Sequence, residues 1–211
     1  MEKNDVTLLI GGEAGQGLVT LGQLLAKSLV HAGYSILVTQ SYQSRIRGGH
    51  NTFAIRVSTE AVVAPRESVD LLIAMNAETV TLHEAEVAAG GLIVADEVHG
   101  TDTDGCLQVP YQQLAETRFA NVVALGVVSV LLGLDQRLVT RTLNDFFGKK
   151  DREMTEKNRE VLTTAFDWCG QQTVSFEKLP PVAKPIQRMV MNGNEANAMG
   201  ALSAGEKFCS F

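Results

Sequence analysis

The run Val6-Thr7-Leu8-Leu9-Ile10, followed by Gly11-Gly12-Glu13-Ala14-Gly15-Gln16-Gly17, limits the fold of this chain more than any other stretch. A short continuous apolar run ended by glycine reads as a strand buried on both faces. Leu18, Leu21, Leu25 and Leu29 then recur at helical spacing, predicting a helix from about Gly17 to Ala32 with Gly33 as its stop. Gly22 falls where such a helix can approach a sheet closely. Strand, glycine turn and helix in that order bring backbone N–H groups and a helix N-terminus to one spot. That arrangement suits an anion, usually a phosphate.

The chain continues in the same idiom. Ser35-Ile-Leu-Val-Thr39 is a second strand, joined to the first by a right-handed parallel crossover. Gln40 to His50 is polar and aperiodic and reads as a loop. Asn51–Ser58 alternates, with Phe53, Ile55 and Val57 on one side and Thr52 and Arg56 on the other, as in a half-exposed strand that is antiparallel or at an edge. Buried strands are predicted at Val69–Met75 and Leu92–Asp96, a short one at Cys106–Val109, and a helix from Ala77 to Ala89 ended by Gly90-Gly91. Asn121–Gly133 is almost wholly apolar and reads as a buried helix, followed by helices at Leu134–Phe147 and Asp151–Gln171. Strands alternating with helices in this way specify an α/β fold: Rossmann-like, a mostly parallel sheet with helices on both faces and one antiparallel or edge strand. The 211 residues suffice for one well-buried domain with an appendage.

The glycine spacing separates this turn from the familiar nucleotide loops. The dinucleotide fingerprint is Gly-x-Gly-x-x-Gly with an acid closing the second strand. Here the order is Gly12-x-x-Gly15-x-Gly17, and the second strand ends in Thr39-Gln40. A Walker loop needs Gly-Lys-Ser/Thr, and Leu18-Val19 stands there instead. A tight turn with no ligand remains the alternative. The second feature is Ser41-Tyr-Gln-Ser-Arg-Ile-Arg-Gly-Gly-His50, leaving the carboxyl end of the second strand on the same edge as the turn. Arg45 and Arg47 can grip a phosphate or carboxylate, and Gly48-Gly49 lets backbone pass close to a ligand or a partner chain. The same residues also suit a solvated basic loop, or one ion-paired with the acidic stretch that follows.

Charge and cysteine usage exclude several classes. The net charge is −6, which argues against nucleic acid or a membrane surface as a general partner. The distribution is uneven: Arg45, Arg47, Arg56 and Arg66 fall together, whereas Glu67 to Thr117 carries ten acidic residues and no Lys or Arg. Cys106, Cys169 and Cys209 are isolated, with no Cys-x-x-Cys, so this chain supplies neither an iron–sulfur cluster nor a zinc site. Asp96, Glu97 and His99 follow a strand, where a metal or an acid–base pair could sit, but they read as a solvated loop and no metal site is predicted. His31 and His83 read as structural. The polar start and short apolar runs suit neither a signal nor a spanning segment, and a cytoplasmic location is expected.

Composition changes at Lys178-Leu-Pro-Pro-Val-Ala-Lys-Pro185, a linker or extended strap over residues 178–190. Asn192 or Asn194 then caps a helix with Glu195 in its first turn and small residues along one face.

Gly11–Gly17, together with Ser44-Arg-Ile-Arg-Gly-Gly-His-Asn-Thr52 and the strand after it, resembles the gamma domain of the 2-oxoacid:ferredoxin oxidoreductases. These thiamine-diphosphate and iron–sulfur enzymes oxidise a 2-oxoacid to acyl-CoA. Asn192-Gly-Asn-Glu-Ala-x-Ala-x-Gly-Ala-x-x-Ala-Gly205 looks like the opening helix of the alpha, thiamine-type domain in members that carry the gamma domain ahead of it. The resemblance implies a gamma-type α/β domain over 1–177, the linker, and a start of the alpha domain over 191–211 that is cut short. It implies partners: an alpha domain or subunit, a beta subunit, and ferredoxin through the complex. Thiamine diphosphate, Mg²⁺ and the clusters are expected in those partners, and the chain alone is expected to be inactive. It also implies that Gly12, Glu13, Gly15, Gln16 and Gly17, with Arg45, Arg47, Gly48 and Gly49, line an edge facing CoA or a partner subunit. No catalytic residue is assigned to this chain. A non-catalytic binding or assembly module stands as the alternative, and an NAD-dependent dehydrogenase is disfavoured by the glycine spacing.

Overall fold

A computed structural model describes residues 4–42, 49–99, 105–147, 152–183 and 188–207. The first strand, β1 (Asp5–Glu13), is longer than its apolar run, because Gly11 and Gly12 stay extended and pair with Thr52 and Asn51. The turn is therefore confined to residues 14–17. Helix α1 (Leu18–His31) follows, and Gly33, at φ 99°, turns the chain into β2 (Ser35–Tyr42). β2 takes in Gln40–Tyr42 and β3 (His50–Ser58) begins at His50, so the predicted loop shortens from both ends.

The sheet has six strands in the order β2-β3-β1-β4-β5-β6. β4 is Val69–Ala74, β5 is Val87–Asp96 and β6 is Cys106–Val109. β3 is antiparallel to both neighbours, and the other pairs are parallel. This is the mostly parallel α/β sheet read from the sequence, with β3 as its antiparallel strand. β3 lies inside the sheet and separates β2 from β1. Only residues 43–49 connect β2 to β3, too few for a crossover, so the chain must return antiparallel.

The predicted helix Ala77–Ala89 is also shorter. Helix α2 spans Ala77–His83, capped by Asn76, whose Oδ1 accepts from the Thr79 N–H at 3.0 Å. One 3-10 turn, Glu84–Glu86, leads directly into β5. Gly90-Gly91 lies inside that strand, where the β4–β5 register shifts and Gly90 takes φ 79°. The pair makes a bulge rather than a helix stop. A short helix α3 (Tyr111–Leu114) follows β6, then α4 (Ala120–Leu132), α5 (Gln136–Phe147), α6 (Arg152–Gly170) and α7 (Gly193–Ser203).

α1, α4, α5 and α6 share one apolar core with one face of the sheet, centred on Leu8, Ile10, Phe53, Ile55 and Ile73. α2 covers the opposite face through Val80 against Leu9, Leu72 and Ile93. Gly126 lets α4 meet α6: a Cβ there would stand 2.6 Å from Ala165 Cβ. The proline segment begins as a strap on this body. Leu179 is buried, its N–H donates to Leu132 O at 3.3 Å, and the Tyr34 hydroxyl donates to Pro180 O at 3.0 Å. α7 carries a complete capping box between Asn192 and Glu195, and its residues are exposed. No helix among the described residues is long and apolar enough to cross a membrane.

Candidate functional site

Glycine is required at three positions of the turn, for two reasons. Gly12 has no room for a side chain, since a Cβ would lie 2.6 Å from Gln16 Oε1 and 2.9 Å from Met75 Cβ. Gly15 faces open space but holds φ 101°, a region that costs an L-residue about 1–2 kcal/mol. Gly17 has both constraints, with φ 77° and Asn121 Nδ2 at 2.7 Å from a built Cβ. Gln16 ties the turn down. Its Oε1 accepts from the Glu13 N–H at 2.7 Å and its Nε2 donates to Met75 O at 3.3 Å, spanning the ends of β1 and β4. The amide of Gln16 is thus committed to the protein.

Gly17 is the N-cap of α1 and offers no side-chain acceptor. The first intrahelical bond is from Leu21 N–H to Gly17 O at 2.9 Å, so the N–H groups of Leu18, Val19 and Thr20 precede it. Leu18, Val19 and Thr20 line an open cleft of about 600 Å³ together with Glu13, Gly15, Gly17, Tyr42 and Asn51. Hydrogen-bond donors and the positive end of a helix dipole equip this cleft for an anion, while the Glu13 carboxylate opposes one. Arg45, Arg47 and Gly48 lie outside the described residues. Tyr42, which precedes them, lines the cleft, and Gly49 follows them at φ 86° before β3 begins. The dehydrogenase reading loses its geometry here. A dinucleotide site needs the second strand beside the first to present its acid to the ribose, and β3 occupies that place.

One cluster was not legible in the sequence. His50 Nε2 and His83 Nε2 lie 2.8 Å apart, and His83 Nδ1 is 2.9 Å from Glu86 Oε1. The arrangement that satisfies all four atoms has His83 Nδ1–H donating to Glu86 and His50 Nε2–H donating to His83. Burial, and then the charge of His83, lower the His50 pKa from its usual 6.5, while Glu78 and Glu86 act in the opposite sense. A histidine kept neutral in the folded state stabilises fully above the unfolded value. That contribution is lost as the pH falls from 6.5 through the depressed folded pKa. The urea midpoint is therefore expected to drop between pH 7.5 and 5.5, above the carboxylate range, and His50→Gln to flatten that drop. An identical slope in the variant would refute it.

Asp96 and Glu97 are engaged locally: Asp96 Oδ1 accepts from the Val98 N–H at 3.1 Å and Glu97 Oε1 from Gln113 Nε2 at 2.9 Å. Among the described residues no three His, Cys, Asp or Glu side chains gather as a metal site.

The family model for pyruvate ferredoxin/flavodoxin oxidoreductase matches residues 7–168, from β1 into α6. The chain belongs to this family. Within it, the alpha subunit of 2-oxoacid:ferredoxin oxidoreductase 2 from Aeropyrum pernix is 28% identical, covering 95% of this chain and 40% of that subunit. The chain thus spans less than half of that relative. The 2-oxoglutarate synthase subunit KorC of Archaeoglobus fulgidus is 25% identical over 86% of this chain and 96% of its own length. Among solved structures, 2-oxoglutarate:ferredoxin oxidoreductase from Magnetococcus marinus, with 2-oxoglutarate, coenzyme A and succinyl-CoA bound, superposes with a TM-score of 0.84. It is 25% identical, covering 97% of this chain and 38% of that one. The keto/oxoacid ferredoxin oxidoreductase gamma subunit of Geobacter sulfurreducens, at 20% identity and a TM-score of 0.63, shares the fold over 79% of this chain.

Proposed function

We propose that this family member is the gamma-type component of a 2-oxoacid:ferredoxin oxidoreductase and forms the CoA-side or subunit-facing wall of its active site. The observation that carries the reading is the uncapped N-terminus of α1 at the glycine turn, open to a cleft on the carboxyl edge of the sheet. The N–H groups of the first turn of α1 would hold a phosphate of CoA, Gly15 and Gly17 would allow close approach, and Arg45 and Arg47 would offset the Glu13 charge. Similarity to an enzyme with coenzyme A bound supports this choice of anion.

The division of the chain follows the same reading: a gamma domain over 1–177, a strap and linker over 178–190, and the opening of an alpha, thiamine-type domain from 191. Similarity to the Aeropyrum alpha subunit extends over 95% of the chain, whereas the Geobacter gamma subunit accounts for 79%. The exposed α7 is consistent with a segment that packs elsewhere. In this proposal thiamine diphosphate, its metal and the electron carriers belong to the alpha and beta partners, with ferredoxin as the acceptor.

The test is reconstitution of the complex with thiamine-type partner chains, reading 2-oxoacid-dependent reduction of ferredoxin or a viologen dye. Val19→Glu places a carboxylate in the first turn of α1, where it suits the helix dipole yet faces the cleft. The KM for CoA is expected to rise about tenfold, or ~1.4 kcal/mol, with the KM for the 2-oxoacid unchanged. An unaltered KM for CoA removes CoA from this wall. Full activity of the partners without this chain would favour an assembly module instead.

A further inference from the structure

In the parallel pairing of β1 with β4, Gly11 stands opposite Ala74, and the Met75 N–H donates to Gly11 O at 2.9 Å. Continued one step in that register, the next rung of the ladder runs from the Glu13 N–H to Met75 O. A side-chain amide occupies that place instead. The Glu13 N–H donates to Gln16 Oε1 at 2.7 Å, and Gln16 Nε2 donates to Met75 O at 3.3 Å. The strands are thus spread by the width of one amide group at the point where α1 leaves β1 over one face of the sheet and α2 leaves β4 over the other. Open α/β sheets take ligands at such a point.

Two further contacts fix Gln16 in this place. Its backbone N–H donates to Glu13 O at 3.3 Å, which closes the turn, and Gly12 beneath it has no side chain, since a Cβ there would meet Gln16 Oε1 at 2.6 Å. Ala14 and Gly15 before it and Gly17 and Leu18 after it line the anion cleft, while the Gln16 amide is held by backbone groups of β1 and β4. A ligand in that cleft meets the N–H groups of Leu18, Val19 and Thr20 only where the inserted rung sets the start of α1.

We propose that Gln16 is a positioning residue for the anion: its amide keeps β1 and β4 apart at the crevice and so sets the first turn of α1 against a bound phosphate. The inference rests on the reading of that cleft as an anion site, and on CoA only for the identity of the anion. Without the amide, the Glu13 N–H and Met75 O are left to pair with each other, because buried backbone groups take partners. The ladder then closes by one rung and the glycine turn is drawn toward β4, away from the cleft. The rung needs one acceptor and one donor on a planar group. A carboxylate in its place keeps the acceptor for Glu13 but sets a charged oxygen against Met75 O, and only its protonated form supplies both roles again.

The experiment titrates the full chain with pyrophosphate by calorimetry and the reconstituted complex with CoA, using Gln16→Ala and Gln16→Glu beside the parent. Gln16→Ala is expected to weaken pyrophosphate about tenfold and to raise the KM for CoA by a similar factor, with the KM for the 2-oxoacid unchanged. Gln16→Glu is expected to match the alanine variant at pH 7.5 and to recover toward the parent at pH 5.5, each affinity being taken relative to the parent at the same pH. The carbonyl oxygen it faces favours the protonated acid, so the recovery begins above the ordinary carboxylate range. Loss of packing alone gives no such pH profile. Parental pyrophosphate affinity in Gln16→Ala, no recovery in Gln16→Glu, or no pyrophosphate binding by the parent each overturn the proposal. A KM for CoA raised by Val19→Glu but not by Gln16→Ala also sinks it and leaves CoA at the wall. Pyrophosphate weakened in Gln16→Ala, with the KM for CoA unaltered in both variants, supports the inserted rung and removes CoA instead.

Discussion

Replacing Gly22 by leucine is expected to destabilise the protein by about 3 kcal/mol and to lower its Tm by roughly 6–12 °C. Gly22 sits on the buried face of α1, and a Cβ there would stand 2.5 Å from Cγ and Cδ1 of Phe53 and 2.7 Å from Cε1. Phe53 has nowhere to go. It is 2% exposed and held within the sheet by β1 on one side and β2 on the other. The helix must therefore lift, and its N-terminus must leave the glycine turn. Alanine adds only the Cβ and gains about 1 kcal/mol of helix propensity over glycine, so Gly22→Ala should cost clearly less than leucine. Thermal unfolding of both variants checks the stability, and CoA titration of the reconstituted complex checks the displaced helix. A leucine variant as stable as the parent would mean that α1 does not pack this closely.

The second large effect is expected at Asp70. Its side chain is almost fully buried in β4, where Oδ2 accepts from the Thr7 N–H of β1 at 2.7 Å and pairs with Arg66. Asp70→Ala leaves a buried backbone donor and a guanidinium without that acceptor. Breaking a buried pair costs about 3–5 kcal/mol, and because one-third of the Arg66 side chain is exposed the lower end, ~3 kcal/mol, is expected. Asp70→Asn retains one carbonyl oxygen for Thr7 and should recover part of the loss. Urea unfolding of the two variants reads the difference. A loss below about 1 kcal/mol in Asp70→Ala would show that this link between β1 and β4 carries little.

Much of the architecture was legible because it is written in short windows. The period-3.6 leucines of α1, the alternation of β3 and the apolar run of α4 each declare an element and its buried face. Gly33 and Gly133 mark helix ends through their positive φ. The errors share one cause. Gly11-Gly12 and Gly90-Gly91 look like breaks in a local reading, yet both pairs sit in strands, where close neighbours or a bulge require glycine. The alternation of β3 left an antiparallel place and an edge place both open, and the fold takes the antiparallel one, inside the sheet.

By itself the sequence determined the α/β class, the strand–glycine–helix unit and the motifs that carry the family resemblance. Only the tertiary structure decided that β3 enters between β1 and β2, that Gln16 clamps β1 to β4, that His50 meets His83, and that the buried Tyr111 hydroxyl finds no partner among the described residues. The division follows from range. Backbone φ preference and hydrophobic period act within a few residues and are encoded where they act. Contacts such as His50 with His83, 33 positions apart, depend on strand order, which no local period specifies.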